Sequence, residues 1–284
     1  MFRKINLVHY SFAAIAASGL LLSSCGGGKE DDTVIKDVEI TNDTVSSETR
    51  VNFDALRVNI PTPSKLNAKL SAAKIVYNKS FLLPSSKSGS FSSNYQKAVG
   101  MGAFGADLGN AASYNNTQDA IEYLGQMGKL AGDLGISSAF DPEFSKNLLS
   151  KLGSPDTFQM MLDQAYDKAE RNLRSNQRVA TTVLMVTGGW VESLYISVEG
   201  LNTAANQDAA RPLYEDVRAH CFAFKYAYDL LDSYKSNADC AKMIQDIEPF
   251  KAALYTAGDN AKLGPGDLSK LRETVSALRN KITG

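Results

Sequence analysis

Val179-Ala-Thr-Thr-Val-Leu-Met-Val-Thr-Gly-Gly-Trp-Val191 carries no charge, and the first acid after it is Glu192. A helix that is apolar nearly all round is either the centre of a protein core or a membrane span. Spanning a bilayer takes about 20 apolar residues. Arg174 and Arg178 before the run, and Glu192 and Glu199 within its continuation, leave a shorter stretch. The segment from Val179 to Leu201 therefore reads as a buried core helix that needs other helices packed around it.

The surrounding sequence supplies those helices. Apolar residues recur at spacings of three and four in Phe158, Leu162, Tyr166, Ala169 and Leu173, and again in Leu213, Val217, Cys221, Phe224, Tyr228 and Leu231. Leu268, Leu271, Val275, Leu278 and Ile282 do the same near the end. Such spacing places each set on one helical face. Start signals agree with the periodicity. Ser92 or Ser93 opens a segment to about Tyr114, and Asn116 caps the next, which stops at Gly135. Asp141-Pro142-Glu143 and Ser154-Pro155-Asp156 each combine a capping side chain, proline at the first helical position and an acid for the helix dipole. Pro63-Ser64 opens a pattern with Leu66, Leu70 and Val76, and Pro249 kinks or starts a helix near Asp246 to Tyr255. No stretch shows sustained alternation with β-branched residues. The expected fold is all-α: one domain over 61–284, a multi-helix bundle of about eight or nine helices around the central one.

Before this domain the chain changes character. Arg3 and Lys4 precede an uncharged apolar run from Phe12 to Leu22, followed by Leu22-Ser23-Ser24-Cys25 and three glycines. A short apolar run behind a basic start is a secretory signal, too short for a spanning helix. The four-residue end looks like a lipobox, with 1–24 removed and diacylglycerol placed on the Cys25 thiol. Each buried methylene contributes about 0.8 kcal/mol, so two or more acyl chains anchor stably where one does not. Residues 25–60 then read as a flexible acidic tether, rich in Thr, Ser and Asp. Lys29-Glu30-Asp31-Asp32 is either a solvated linker or an export signal of the kind that sends lipoproteins to the surface of bacteroidete-type cells. Asp32-Thr33-Val34 and Asp43-Thr44-Val45 resemble O-glycosylation acceptors of the same bacteria, at Thr33 and Thr44.

Composition removes several function classes. The 284 residues carry a formal charge of −1. Removing 1–24 takes away two bases and no acid, so the remainder is more acidic and offers no polybasic surface for nucleic acid. Of two histidines, His9 and His220, only His220 outlasts the signal, which weakens every His-based triad or zinc site. Beyond Cys25 there are Cys221 and Cys240. In a helical hairpin they would be offset by about nine residues, near 14 Å, whereas a disulfide needs Cα atoms within about 7 Å. Two buried free thiols are expected. Adjacent helix residues do not face each other, so His220-Cys221 is not a nucleophile pair.

Gly100-Met-Gly102-Ala-Phe-Gly105 matches a dinucleotide fingerprint in letters only, because that motif needs a strand before it. The stripe of Gly102, Gly105, Ala106 and Gly109 reads instead as a surface for close helix approach, and Gly188-Gly189 invites the same reading. A mid-helix glycine costs about 1 kcal/mol against alanine, so something must offset it. The two glycine faces are expected to meet. Asp107 and Glu192 then lie within small or apolar helices, and if buried they need partners. Facing each other, they would form an acid/base pair or a cation site, with Tyr114, Trp190 and Tyr195 as pocket lining. The competing structural reading bonds each acid to a hydroxyl, an arginine or a helix end. No calcium loop, P-loop or paired-cysteine motif is present, so no metal and no cofactor is expected.

Several stretches in order along the body resemble a family of uncharacterised all-helical lipoproteins of bacteroidete-type bacteria. They are Ile60-Pro61-Thr62-Pro63, Tyr77-Asn78-Lys79, Phe104-Gly105-Ala106-Asp107-Leu108, Thr117-Gln118-Asp119-Ala120, Leu134-Gly135-Ile136-Ser137-Ser138-Ala139-Phe140-Asp141 and Gly188-Gly189-Trp190-Val191-Glu192-Ser193-Leu194-Tyr195. The resemblance implies an exported all-helical domain and carries no activity. Three readings of function follow. The first is an outer-membrane lipoprotein, facing the periplasm or the cell surface, that binds a small ligand or an envelope protein without catalysis. The second is a hydrolase or lyase using Asp107 and Glu192 as paired carboxylates. The third is a structural envelope component.

Overall fold

The computed structural model describes residues 69–284, apart from 71, 176, 177 and 260–262. The signal, Cys25, the tether with Thr33 and Thr44, and the helix start at Pro63 lie outside the described residues. Among the described residues there is no strand. Among the described residues, nine α-helices have defined bounds: α1 Asn94–Ser113, α2 Thr117–Asp133, α3 Pro142–Leu149, α4 Pro155–Ser175, α5 Val179–Asn202, α6 Gln207–Phe222, α7 Phe224–Ser233, α8 Ala238–Asp259 and α9 Pro265–Thr283. Ahead of α1, 3-10 turns at Lys79–Phe81 and Ser85–Ser90 form a strap.

Local chemistry accounts for most boundaries. Ser93 and Gln96 form a reciprocal capping box at the start of α1. Asn116 Oδ1 accepts from Asp119 N at 3.1 Å, and Asp141 Oδ1 accepts from Phe144 N at 2.8 Å ahead of Pro142. Asn206 and Asn237 do the same for α6 and α8. At the far end of α2, Gly135 takes a φ of 71°, and Arg178 Nη1 reaches back to the Leu134 carbonyl at 2.9 Å. Pro249 sits inside α8 rather than opening a helix.

Two expectations need correction. Leu70 lies in a short helical stretch, but that helix ends before Lys74 and does not carry Val76. Lys74 takes a φ of 54°, the chain runs without regular structure over 75–78, and Val76 is 75% exposed. Secondly, the stripe from Leu213 to Leu231 spans two helices, not one. The chain breaks register at Ala223, yet both halves stay buried. The stripe survives because a one-residue interruption leaves the apolar face pointing at the same core.

Helix α5 occupies the centre. It packs against α1, α4, α6, α7, α8 and α9, and most extensively against α1. It is long and apolar enough to cross a membrane, but most of its apolar window is buried inside the bundle. The α1–α5 contact explains the glycines. A Cβ at Gly102 would sit 1.8 Å from the Met185 carbonyl oxygen, and one at Gly188 would sit 2.3 Å from the Val99 carbonyl oxygen. Gly189 faces the Gly102 carbonyl, where a Cβ would lie at 3.1 Å. Backbone meets backbone here, which only residues without side chains permit. The other two glycines of the stripe differ from expectation. Gly105 faces the Tyr166 hydroxyl of α4, and Gly109 faces open space.

Candidate functional site

The crossing of α1 and α5 brings Asp107 and Glu192 together. Each lies about a turn beyond its glycine contact, and the two carboxyl groups come within hydrogen-bonding reach of each other. Their relative exposures are 0% and 1%. A third helix completes the cluster. Arg279 of α9 grips Glu192 with both arms, Nε to Oε2 at 2.7 Å and Nη2 to Oε1 at 2.6 Å. Its Nη2 also reaches the Phe81 carbonyl at 3.3 Å, and its guanidinium lies 4.2 Å from the centre of the Tyr195 ring. Bidentate, stacked geometry of this kind suits arginine and not lysine.

The strap closes the remaining side. Leu83 N–H points at Asp107 Oδ1 at 3.4 Å, and the Leu83 carbonyl accepts from the Tyr123 hydroxyl at 3.0 Å. Asp107 Oδ2 has no conventional donor. Two carboxyls facing one guanidinium explain this. Burial, followed by the nearby Glu192 charge, holds Asp107 well above the usual carboxylate range, although Arg279 opposes the shift. Burial also pushes Glu192 up, and Arg279 pulls it back. The proton belongs on Asp107, because Glu192 is the acid that carries the arginine. A protonated Asp107 then donates to Glu192, in keeping with a buried carboxyl that has so few other partners.

A second ionic rung lies further along the same pair of helices. Arg272 Nε meets Glu199 Oε1 at 2.9 Å. Glu192 and Glu199 are seven apart on α5, and Arg279 and Arg272 are seven apart on α9, so the helices run antiparallel with matched charges. Neither arginine stands out in the sequence alone. The equal spacing of the two acids and the two arginines was the available signal.

The aromatic residues expected around the acids separate. Only Tyr195 borders the cluster, beneath Arg279. Tyr114 packs against Tyr77 with tilted rings 5.5 Å apart, and its hydroxyl goes to the Ile75 carbonyl. Trp190 faces α6 and α7. Its indole N–H donates to the His220 carbonyl at 3.1 Å, and His220 Nε2 lies 3.0 Å from the Trp190 carbonyl. A carbonyl only accepts, so His220 carries its proton on Nε2. Burial lowers its pKa to about 4, which keeps the ring neutral.

Cys221 and Cys240 are separate buried free thiols, each pushed up to about 12 by burial. Thiols held protonated are poor nucleophiles. Among the described residues, no group of three His, Cys, Asp or Glu side chains is arranged to hold a metal ion.

A protonated carboxyl beside a carboxylate is acid/base hardware. Here, however, both groups are sealed from solvent, and Glu192 is tied to Arg279. The arrangement can store a proton and lock three helices together. Fold and cluster define an all-α bundle with a buried carboxyl–guanidinium centre. Compared with known proteins, the chain matches no family model, no curated protein and no solved structure.

Proposed function

We propose that this protein is an exported lipoprotein, anchored through lipid on Cys25, whose helical body binds a ligand or partner protein in the bacterial envelope without catalysis. The observation that carries the reading is Leu22-Ser23-Ser24-Cys25 at the end of an uncharged apolar run behind Arg3 and Lys4. Peptidase cleavage before Cys25 and acylation of its thiol follow from that order. The body's own chemistry supports the non-catalytic half. The paired acids Asp107 and Glu192 are enclosed, and Glu192 is neutralised by Arg279. This arrangement counts against the hydrolase reading, in which substrate must reach both carboxyls. The choice between periplasm and cell surface turns on Lys29-Glu30-Asp31-Asp32, and protease shaving of whole cells separates the two.

Fractionation of cells expressing Cys25→Ser tests the anchor. The wild type is expected in the membrane fraction, with an acylated N-terminal peptide by mass spectrometry. The variant is expected to be released as soluble protein. Full membrane retention of a Cys25→Ser chain would overturn the proposal.

A further inference from the structure

The strap over residues 79–91 combines two features that the proposed function leaves unused. The residues that meet the cluster, Phe81 and Leu83, lie at the end of one 3-10 turn and in the irregular link to the next, not in an α-helix. The strap also contributes backbone directly to the cluster, through Leu83 N–H to Asp107 and the Phe81 carbonyl to Arg279. We propose that this strap is a proton-controlled cover, shut while the Asp107–Glu192 pair holds one proton and opening in step with that proton's release.

The argument is a count of charge. Glu192 and Arg279 face Asp107 from α5 and α9, with Tyr195 behind the guanidinium. From α2 comes the Tyr123 phenol, and from the segment ahead of the strap the Tyr77 phenol. The strap brings no titratable side chain to the cluster, only the Leu83 N–H. Burial pushes both phenols up, so they stay neutral. Two acids and one base remain. With one proton the cluster is balanced. Without it, an uncompensated carboxylate lies in a dry site, and that is costly until water reaches it.

Water enters most cheaply through the strap. Helices α1 and α5 are sealed by backbone contact at Gly102 and Gly188, and α9 is held by two arginine rungs. The outer ties of the strap are polar contacts near the surface. Lys79 bridges Asp119 and Glu122, Ser85 bonds Glu122, Ser88 bonds Gln126, and Lys87 reaches the Thr283 carbonyl at 3.1 Å. Lys79 is half exposed and Glu122 a third exposed, so their pair is screened and contributes little, although Asp119 itself is buried. The strap's inner side is apolar, with Leu82, Leu83 and Phe91 buried, so opening exposes these three side chains but leaves the helices in place, as a local opening below global unfolding. Opening also presents two carboxylates and a guanidinium to solvent.

Hydrogen exchange of the full chain, read by mass spectrometry from about pH 5 to about pH 10 and corrected for intrinsic exchange, tests this. In the wild type, strap amides are expected to lose protection by up to about tenfold per pH unit, because one proton is released on opening. Amides of α4 and α6 should not follow. Asp107→Asn has no proton to lose, so strap protection should hold at its low-pH value throughout. If that variant fails to fold, Glu192→Gln serves, because one acid then pairs one arginine and the dependence should vanish. In the unaltered protein, the infrared C=O band of a buried carboxylic acid should fade in step with strap protection. The proposal is overturned by a wild-type strap indifferent to pH, by wild-type pH dependence in either variant, or by equal loss of protection across all helices.

Discussion

Gly102 and Gly109 sit on the same helix, yet an added methyl meets opposite surroundings at the two positions. At Gly102 it would collide with the Met185 carbonyl at 1.8 Å, and backbone cannot rotate away. Gly102→Ala is therefore expected to force α1 and α5 apart. Overpacking of this kind costs about 1–3 kcal/mol or more. At Gly109 nothing lies within 4 Å, so Gly109→Ala should raise stability by about 1 kcal/mol through helix propensity alone. Denaturant midpoints of the two variants check the pair, and a neutral Gly102→Ala would show that the crossing is looser than described. The glycine stripe was legible as a packing surface because small residues at helical spacing have little else to offer. Which glycines meet α5, and that Gly105 meets Tyr166, was not. That depends on the angle of the crossing, which spacing along a single helix does not encode.

Between α5 and α9 the same ion pair occurs twice in different surroundings. Arg279–Glu192 is enclosed on both sides, with side-chain exposures of 9% and 1%, whereas Arg272 is 47% exposed above a buried Glu199 at 6%. Removing one partner of a buried pair strands the other charge and costs about 3–5 kcal/mol. A solvent-screened arginine contributes about 1 kcal/mol or less. Arg279→Met should thus lower stability severalfold more than Arg272→Met in chemical denaturation. Equal losses would mean that Glu192 escapes its burial by another route. The helices themselves were largely readable, because caps such as Ser93, Asn116 and Asp141 act within one turn of the residues that specify them. The break at Ala223 and the turn at Lys74 were not, since neither residue carries a breaker signature. Arg279 was hidden for a related reason. It sits between Leu278 and Ile282 on a helix whose apolar spacing dominates, and its partner lies 87 residues earlier.

Across the whole molecule, His220 and Asp107 set opposite limits on stability with pH. His220 is neutral in the fold, its pKa lowered to about 4, while an unfolded histidine titrates near 6.5. Below that value the unfolded chain takes up a proton that the folded one refuses. Stability therefore falls as pH drops from about 6.5 to about 4, by roughly 3 kcal/mol in all. Asp107 works in the other direction. Its folded pKa stands well above that of an unfolded aspartate. Between those two values the folded chain holds a proton that the unfolded one has given up. Its contribution is fully present below about pH 4 and is lost progressively as pH rises towards the raised value. His220→Gln keeps a side-chain N–H for the Trp190 carbonyl and removes the ring's titration, so it should flatten the acid limb of a stability–pH curve. Asp107→Asn should flatten the alkaline limb and leave the acid limb intact. Denaturant unfolding at a series of pH values measures both. Curves that merely shift downwards in parallel with the wild type would show that neither group controls its limb.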